Sequence, residues 1–221
     1  MDLSRLINIL PELNVAFFQT LYMVGIALLI AVVIGLPLGI LLYVTDRGLF
    51  LENKVVKSFA GVVTNLIRSI PFIILLVFLL PFTNYILGTT IGPTAAAVPL
   101  SVAAIPFFAR IVESSAREID KGVIEAAVSV GASPWMIIKD IILPEAKPGI
   151  ISGLTITTIS LIGYSAMAGT IGGGGIGDLA IRYGYYRYDD MVMYTTVIVL
   201  IVLVQVIQYT GDFIAKAVNK R

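Results

Sequence analysis

Residues whose types and spacing invite chemistry fall into a few sets in this chain of 221 residues. One is Glu125, Ala126, Ala127, Gly131, Ala132, Ser133, Pro134 and Trp135, a polar and small-residue stretch set between long apolar runs. A second is the glycine run that closes with Gly175-Ile176-Gly177-Asp178, followed by Tyr188-Asp189. A third is Arg68 together with Tyr164, Ser165 and Met167, a cation with hydroxyl and thioether side chains inside otherwise uncharged apolar segments. Histidine and cysteine are both absent, which excludes imidazole and thiolate metal ligands, disulfides, His-based proton relays and Cys or Ser/His nucleophilic machinery within this chain.

The glycine run does not make a nucleotide site. It lacks the lysine and the following Ser/Thr that hold phosphate and metal, and it does not follow a strand. The paired acids resemble the GxGD and YD pieces of intramembrane aspartyl proteases, in which two aspartates from two membrane helices share one proton across a cleft. Here the order of the pieces is reversed, and Asp178 and Asp189 both fall in one short polar loop, so the match carries no protease reading.

The elements that position these residues follow from hydropathy. With 58% hydrophobic and 13% charged residues, the composition is that of a membrane protein. About 20 apolar residues cross a hydrocarbon core of about 30 Å, and the uncharged runs predict an all-α polytopic protein of five transmembrane helices over residues 17–43, 59–80, 92–108, 149–170 and 191–209. The N-terminal segment has no small-residue cleavage site after a short apolar core, so no cleaved signal peptide is expected. Residues 1–221 are expected to form a single membrane unit without an evident internal repeat.

Charge placement orients the unit. Arg47, Lys54 and Lys57 follow the first span; Arg110, Arg117, Lys121, Lys139 and Lys147 lie in the long connection 110–147; Lys216, Lys220 and Arg221 close the chain. The opposite connections hold only Arg5, Arg182 and Arg187. The positive-inside bias therefore predicts the N-terminus outside, the C-terminus in the cytoplasm, and the connection 110–147 on the cytoplasmic side. Arg68, near the start of the second span, is either a snorkelling residue or part of a polar path. Tyr164, Ser165 and Met167, in the fourth span, sit where a path is lined, although small and hydroxyl residues also serve as helix glue.

The spacing inside the connection predicts two short helices. Val123, Ala126, Ala127 and Val130 recur on one helical face with Glu125 and Ser129 opposite. Gly131 supplies a left-handed stop, Ser133 and Pro134 supply a start, and the second helix is expected to end before Pro144.

This stretch resembles the EAA motif of permease subunits of binding-protein-dependent ABC importers: Glu125-Ala126-Ala127, three residues, Gly131, nine residues, Ile141, one residue, Leu143-Pro144. Arg68-Ser69-Ile70-Pro71 looks like the Arg-x-x-Pro element of the same permeases, and the glycine-rich loop with Arg182 and its tyrosines looks like the methionine-importer branch. The resemblance implies a multi-pass protein of the bacterial inner membrane that pairs with a second copy of itself. It also implies two cytoplasmic ATPase subunits, which carry ATP-Mg and each receive a coupling helix formed by Glu125 to Trp135, and an extracytoplasmic substrate-binding protein. No cofactor is expected on this chain, and no nucleic acid as a partner. The implied function is ATP-driven import of methionine, D- or L-, and related amino acids by alternating access. An importer of an osmolyte or a polar amino acid shares the motif, and an ATP-independent channel or facilitator is the competing class. No span carries a filter-like sequence or a ring-forming acid that would favour the latter.

Overall fold

The computed structural model describes the backbone of residues 3–219 and the side chains of residues 9–219; the side chain of Arg5, and Lys220 and Arg221, which entered the charge count, lie outside them. The described residues are helical, without strands. The first helix runs α1 (Leu3–Ile30), a wide π-type turn (Ala31–Gly35) and α2 (Leu36–Val44) without interruption. Then come α3 (Lys54–Ser69), α4 (Phe72–Phe78), α5 (Leu80–Leu87) and α6 (Pro93–Arg117). The connection holds α7 (Lys121–Ser129) and α8 (Pro134–Met136), after which a second wide turn (Ile137–Ile142) leads into α9 (Leu143–Gly169). Short α10 (Gly175–Leu179), a third wide turn (Ala180–Tyr185) and α11 (Asp190–Val218) complete the chain.

Among the described residues, Ile9–Val44, Pro93–Arg117, Pro134–Gly169 and Asp190–Val218 are each long and apolar enough to span a bilayer. The remaining apolar run, read above as a span over 59–80, folds differently. α3 and α4 meet at 101°, so this run is a bent pair rather than one straight helix. Pro71 explains the break, because it disfavours helical geometry at Ile70, which adopts an extended conformation at ψ 124°.

Proline does not break the chain at 144. The helix expected to end there continues from Pro134 to Gly169. The wide turn over Ile137–Ile142 lets the Leu143 N–H reach back five residues to the Ile138 carbonyl, and the enlarged turn accommodates a ring that would otherwise press on the carbonyl four residues earlier. The wide turn before Pro37 has the same placement. α6 likewise runs on to Arg117, two turns beyond the expected limit at 108.

The core is built around α6. Phe108, Val112, Ala104, Leu100 and Ala116 are fully or almost fully buried, and glycines bring its neighbours to backbone contact. A Cβ on Gly35 would lie 2.8 Å from the Ile105 carbonyl and one on Gly39 2.5 Å from that of Ala109. On the other side, Gly149 faces Ser115 and Gly153 faces Ile111 at 2.6 and 2.3 Å by the same measure. Helices that pack through small residues approach closely in a bilayer, where dispersion rather than water exclusion drives association. α6 is thus wedged between α2 and α9.

Candidate functional site

The connection forms a compact knob at the end of α6. α7 starts where the Asp120 carboxylate accepts the Gly122 N–H at 2.8 Å. It stops at Gly131, whose φ of +80° favours glycine, and the Ala132 N–H closes the end by bonding the Ala127 carbonyl five residues back at 3.0 Å. Ser133 then caps α8, its hydroxyl accepting the Met136 N–H at 3.3 Å, with Pro134 in the first turn.

The apolar face of α7 is not the one the spacing predicts. Ile124 and Ala127 turn inward and join the buried cluster with Ile137 and Ile142. Val123, Glu125, Ala126, Val128 and Val130 are exposed, as are Gly131, Ser133, Pro134 and Trp135; Ala132 is half-buried. The inner face of so short a helix is set by the wide turn it rests on, so one Ile–Ala pair suffices. What points outward is therefore apolar as well, with Val130 84% and Trp135 67% exposed. The capped projection thus presents small and apolar side chains to its surroundings.

Behind the knob lies a charge cluster that the sequence reading did not find. Glu113 of α6 is 2% exposed and accepts from Lys57 Nζ of α3 at 2.6 Å, from Arg110 at 2.6 Å and from Arg117 at 2.9 Å. Arg117 also pairs with Asp46, which lies 3.4 Å from Lys57. Lys57 donates further to the Leu42 carbonyl at 2.7 Å, and Arg110 to the Asn65 side chain at 2.8 Å. Burial pushes the Asp46 carboxyl up, but the Arg47 backbone N–H, Arg117 and Lys57 outweigh it and hold the group below the usual carboxylate range. The cluster binds the end of α2, α3 and α6 into one unit. Arg110, Glu113 and Arg117 stand at i, i+3 and i+4 spacings, which was the available signal; the partner from α3 has no such local mark.

The residues read as path candidates divide. Arg68 and Tyr164 line one cavity of about 190 Å³, and Tyr164 stacks on Phe72 with ring centroids 4.5 Å apart and planes at 8°. Ser165 is buried and donates its hydroxyl to the Ile162 carbonyl at 2.8 Å, while Met167 is exposed; neither lines that cavity.

The glycine-rich loop is more ordered than a run of glycines suggests. The N–H groups of Gly175 and Ile176 donate to the side chains of Gln19 and Thr20 in α1, at 2.8 and 2.9 Å. A Cβ on Gly177 would lie 2.3 Å from the Ala166 Cα, so α10 packs directly on α9. Asp178 pairs with Arg182 at 2.7 Å, and Asp189 caps α11 through the N–H groups of Met191 and Val192. The two acids are thus engaged separately and form no proton-sharing pair.

Residues 35–221 match the family model described as binding-protein-dependent transport system inner membrane component. The chain is 51% identical to the probable D-methionine transport system permease protein MetI of Vibrio cholerae over 206 residues, covering 93% of this chain and 92% of that protein. It is 47% identical to the methionine import system permease protein MetP of Bacillus subtilis over 212 residues, 96% of each. A solved chain of the MetNI methionine ABC transporter in inward facing conformations superposes with a TM-score of 0.94 at 46% identity, over 96% of this chain and 99% of that one.

Proposed function

The chain belongs to the binding-protein-dependent transport system inner membrane components, and from that premise we infer how its parts work. It is the membrane-spanning permease subunit of an ABC importer for methionine, a multi-pass protein of the bacterial inner membrane that pairs with a second copy. It is a transport subunit and not an enzyme: ATP is hydrolysed on partner ATPase subunits, and an extracytoplasmic binding protein delivers the solute. Magnesium accompanies the ATP on that partner.

The N-terminus lies outside and the C-terminus in the cytoplasm. The clustering of Lys57, Arg110 and Arg117 at one end of the bundle supports this reading, because basic residues concentrate on the cytoplasmic side. The α7–α8 knob is then the coupling element, with Glu125, Ala126, Ala127, Gly131, Ala132, Ser133, Pro134 and Trp135 seated against an ATPase subunit. One observation carries the assignment: a capped helix pair with an exposed small and apolar face stands at the junction of α6 and α9, the two helices that meet most extensively in the core. When two ATPase subunits close on ATP they draw the knobs together. α6 follows as a lever, and α2 and α9, locked to it by glycine contacts, follow in turn. The path beside Arg68 and Tyr164 changes from inward to outward access, a shift between two packings separated by a few kcal/mol and biased by ATP.

Glu125→Lys and Gly131→Trp test the assignment. In the reconstituted importer both variants are expected to insert into the membrane yet lose co-purifying ATPase subunit and ATP-driven methionine uptake. Wild-type uptake in either variant refutes it.

A further inference from the structure

Lys57, Arg110, Arg117 and Arg182 each meet a carboxylate. Arg68 does not: among the described residues no carboxylate or other hydrogen-bonding group pairs with its guanidinium. Yet it stands at the end of α3 within an apolar run, where an uncompensated cation is costly and marks a functional position. At 1.5 Å per residue it lies about 16 Å along α3 from Lys57, three turns away from the charge cluster.

The backbone breaks at the same place. α3 and α4 meet at 101° around Ile70 and Pro71, and irregular backbone at membrane depth is tolerated only where it is buried in protein or lines a cavity. A cavity is there, about 190 Å³ in volume, walled by Arg68, Ile70, Phe72, Ala103, Phe107 and Tyr164. Its volume is below the 300–1,000 Å³ typical of drug-sized sites, which suits one amino acid. Its chemistry is divided: a single planar cation at one side, aromatic and aliphatic surface elsewhere. A guanidinium presents two parallel N–H donors that match a carboxylate, and the match strengthens away from water.

We propose that this cavity is the transmembrane substrate site, in which Arg68 holds the carboxylate of an apolar α-amino acid while Phe72, Phe107 and Tyr164 face its side chain. The proposal rests on the reading of the chain as a methionine permease. A thioether fits such a wall, since sulfur packs favourably against aromatic rings. The stacked Phe72–Tyr164 pair joins α4 to α9, so the wall of the site is carried by the helix that leaves the knob. Occupancy and the coupling stroke therefore act on the same pair of rings. A purely structural role for Arg68 also exists, because a cation in the last turn of α3 complements the helix dipole. Lysine fills that role; it does not supply the paired donors.

The test uses the complete complex of permease and ATPase subunits in nanodiscs without the binding protein, titrated with radiolabelled methionine to millimolar concentration. Wild type is expected to bind, and methioninol, which lacks the carboxylate, to compete at least tenfold more weakly than methionine. Arg68→Gln is expected to lower affinity at least tenfold and Arg68→Lys to lower it clearly, with the complex still assembling in both. Unchanged binding in Arg68→Gln, equal competition by methioninol, restoration of full binding by Arg68→Lys, or no binding by wild type each overturns the site. Uptake by the complete wild-type importer is measured in parallel: if ATP-driven methionine uptake is absent there, the permease reading itself fails, whereas intact uptake confines the failure to this cavity.

Discussion

Glu113→Ala puts the charge cluster to a quantitative test. The carboxylate is 2% exposed and takes three charge-assisted hydrogen bonds, from Lys57, Arg110 and Arg117. Such bonds contribute about 1.5–3 kcal/mol each in isolation, but the desolvation of a buried acid offsets much of their sum. Removing one member of a buried ion network costs about 3–5 kcal/mol, because the partners are left uncompensated. Here the partners are 23%, 29% and 48% exposed and rehydrate in part, and Asp46 remains to receive Lys57 and Arg117. The lower end applies, about 3 kcal/mol, or about two decades in the unfolding equilibrium. SDS-induced unfolding followed by circular dichroism measures it. The double variant Lys57→Ala/Glu113→Ala should cost less than the sum of the two single changes by at least ~1 kcal/mol, since contacting members of one network are not additive. The loss should also fall on coupling: with the Lys57–Glu113 link between α3 and α6 removed, methionine uptake drops further than ATP hydrolysis. A cost of Glu113→Ala below about 0.5 kcal/mol, the scale of an ordinary surface change, refutes the reasoning, as does strict additivity.

The other predictions concern backbone and pH. Gly131→Ala meets nothing within 4 Å of the new methyl group, so its whole cost is the φ of +80°, about 1–2 kcal/mol; Gly131→Asn should cost less, and equal losses in the two by SDS unfolding would contradict a conformational origin. Gly39→Ala places a Cβ 2.5 Å from the Ala109 carbonyl and 2.6 Å from the Val112 Cβ. Overpacking of this kind costs about 1–3 kcal/mol, and the same change at Gly25, where nothing lies within 4 Å, should show none of this clash; comparable losses at both sites refute the close contact. Asp46 has a carboxyl held below its usual range, so its contribution is present above the unfolded value of about 3.9 and is lost as pH falls through the lower folded value. Asp46→Asn should therefore flatten the acid side of a melting-temperature profile below about pH 4, and parallel profiles for the two proteins would exclude that contribution.

What the sequence made legible and what it concealed divide by the range of the interaction. The caps of α7 and α8 were readable at Gly131 and Ser133, because a stop at positive φ and a hydroxyl start are decided within a few residues. The membrane class was readable because hydropathy sums over a whole span. The inward face of α7 was not, since Ile124 rather than Val123 is chosen by the wide turn below it, an element of another segment. Pro71 and Pro144 make the same point with one residue type. The first ends α3 and begins a helix at 101°; the second is absorbed in a continuous helix because the preceding turn widens. Nothing in the local rule for proline separates those outcomes, and what separates them is the surrounding packing: Ile142, at the end of the widened turn, is wholly buried, whereas Ile70 lies exposed at the rim of a cavity.

The position of the charge cluster follows from the same distinction and explains why the chain tolerates so many charges near its apolar core. Arg110 and Arg117 fall within a helix that the apolar run alone would end at 108, and α6 extends as far as Arg117 with Glu113 lying between them on the same face. Lys57 and Asp46 reach that face only after the turn between α2 and α3 folds back, which the Asn53 N–H bond to the Thr45 carbonyl closes at 3.0 Å. The cluster therefore forms only when α2, α3 and α6 are all in place. It supplies orientation as much as stability: an apolar contact between α3 and α6 tolerates rotation, whereas the two polar links between them, Lys57 to Glu113 and Arg110 to Asn65, fix the helices about their axes. Arg68 lies in the last turn of α3, so the clamp that holds α3 on α6 also determines where that guanidinium stands. Asn65, one turn before Arg68, is tied to Arg110 at 2.8 Å and brings the fixed region to within a turn of the cavity. If the knob couples to an ATPase subunit as proposed, these contacts link α6 to the cavity wall, and loosening them at Glu113 or Asn65 should change what ATP hydrolysis accomplishes before it changes whether hydrolysis occurs.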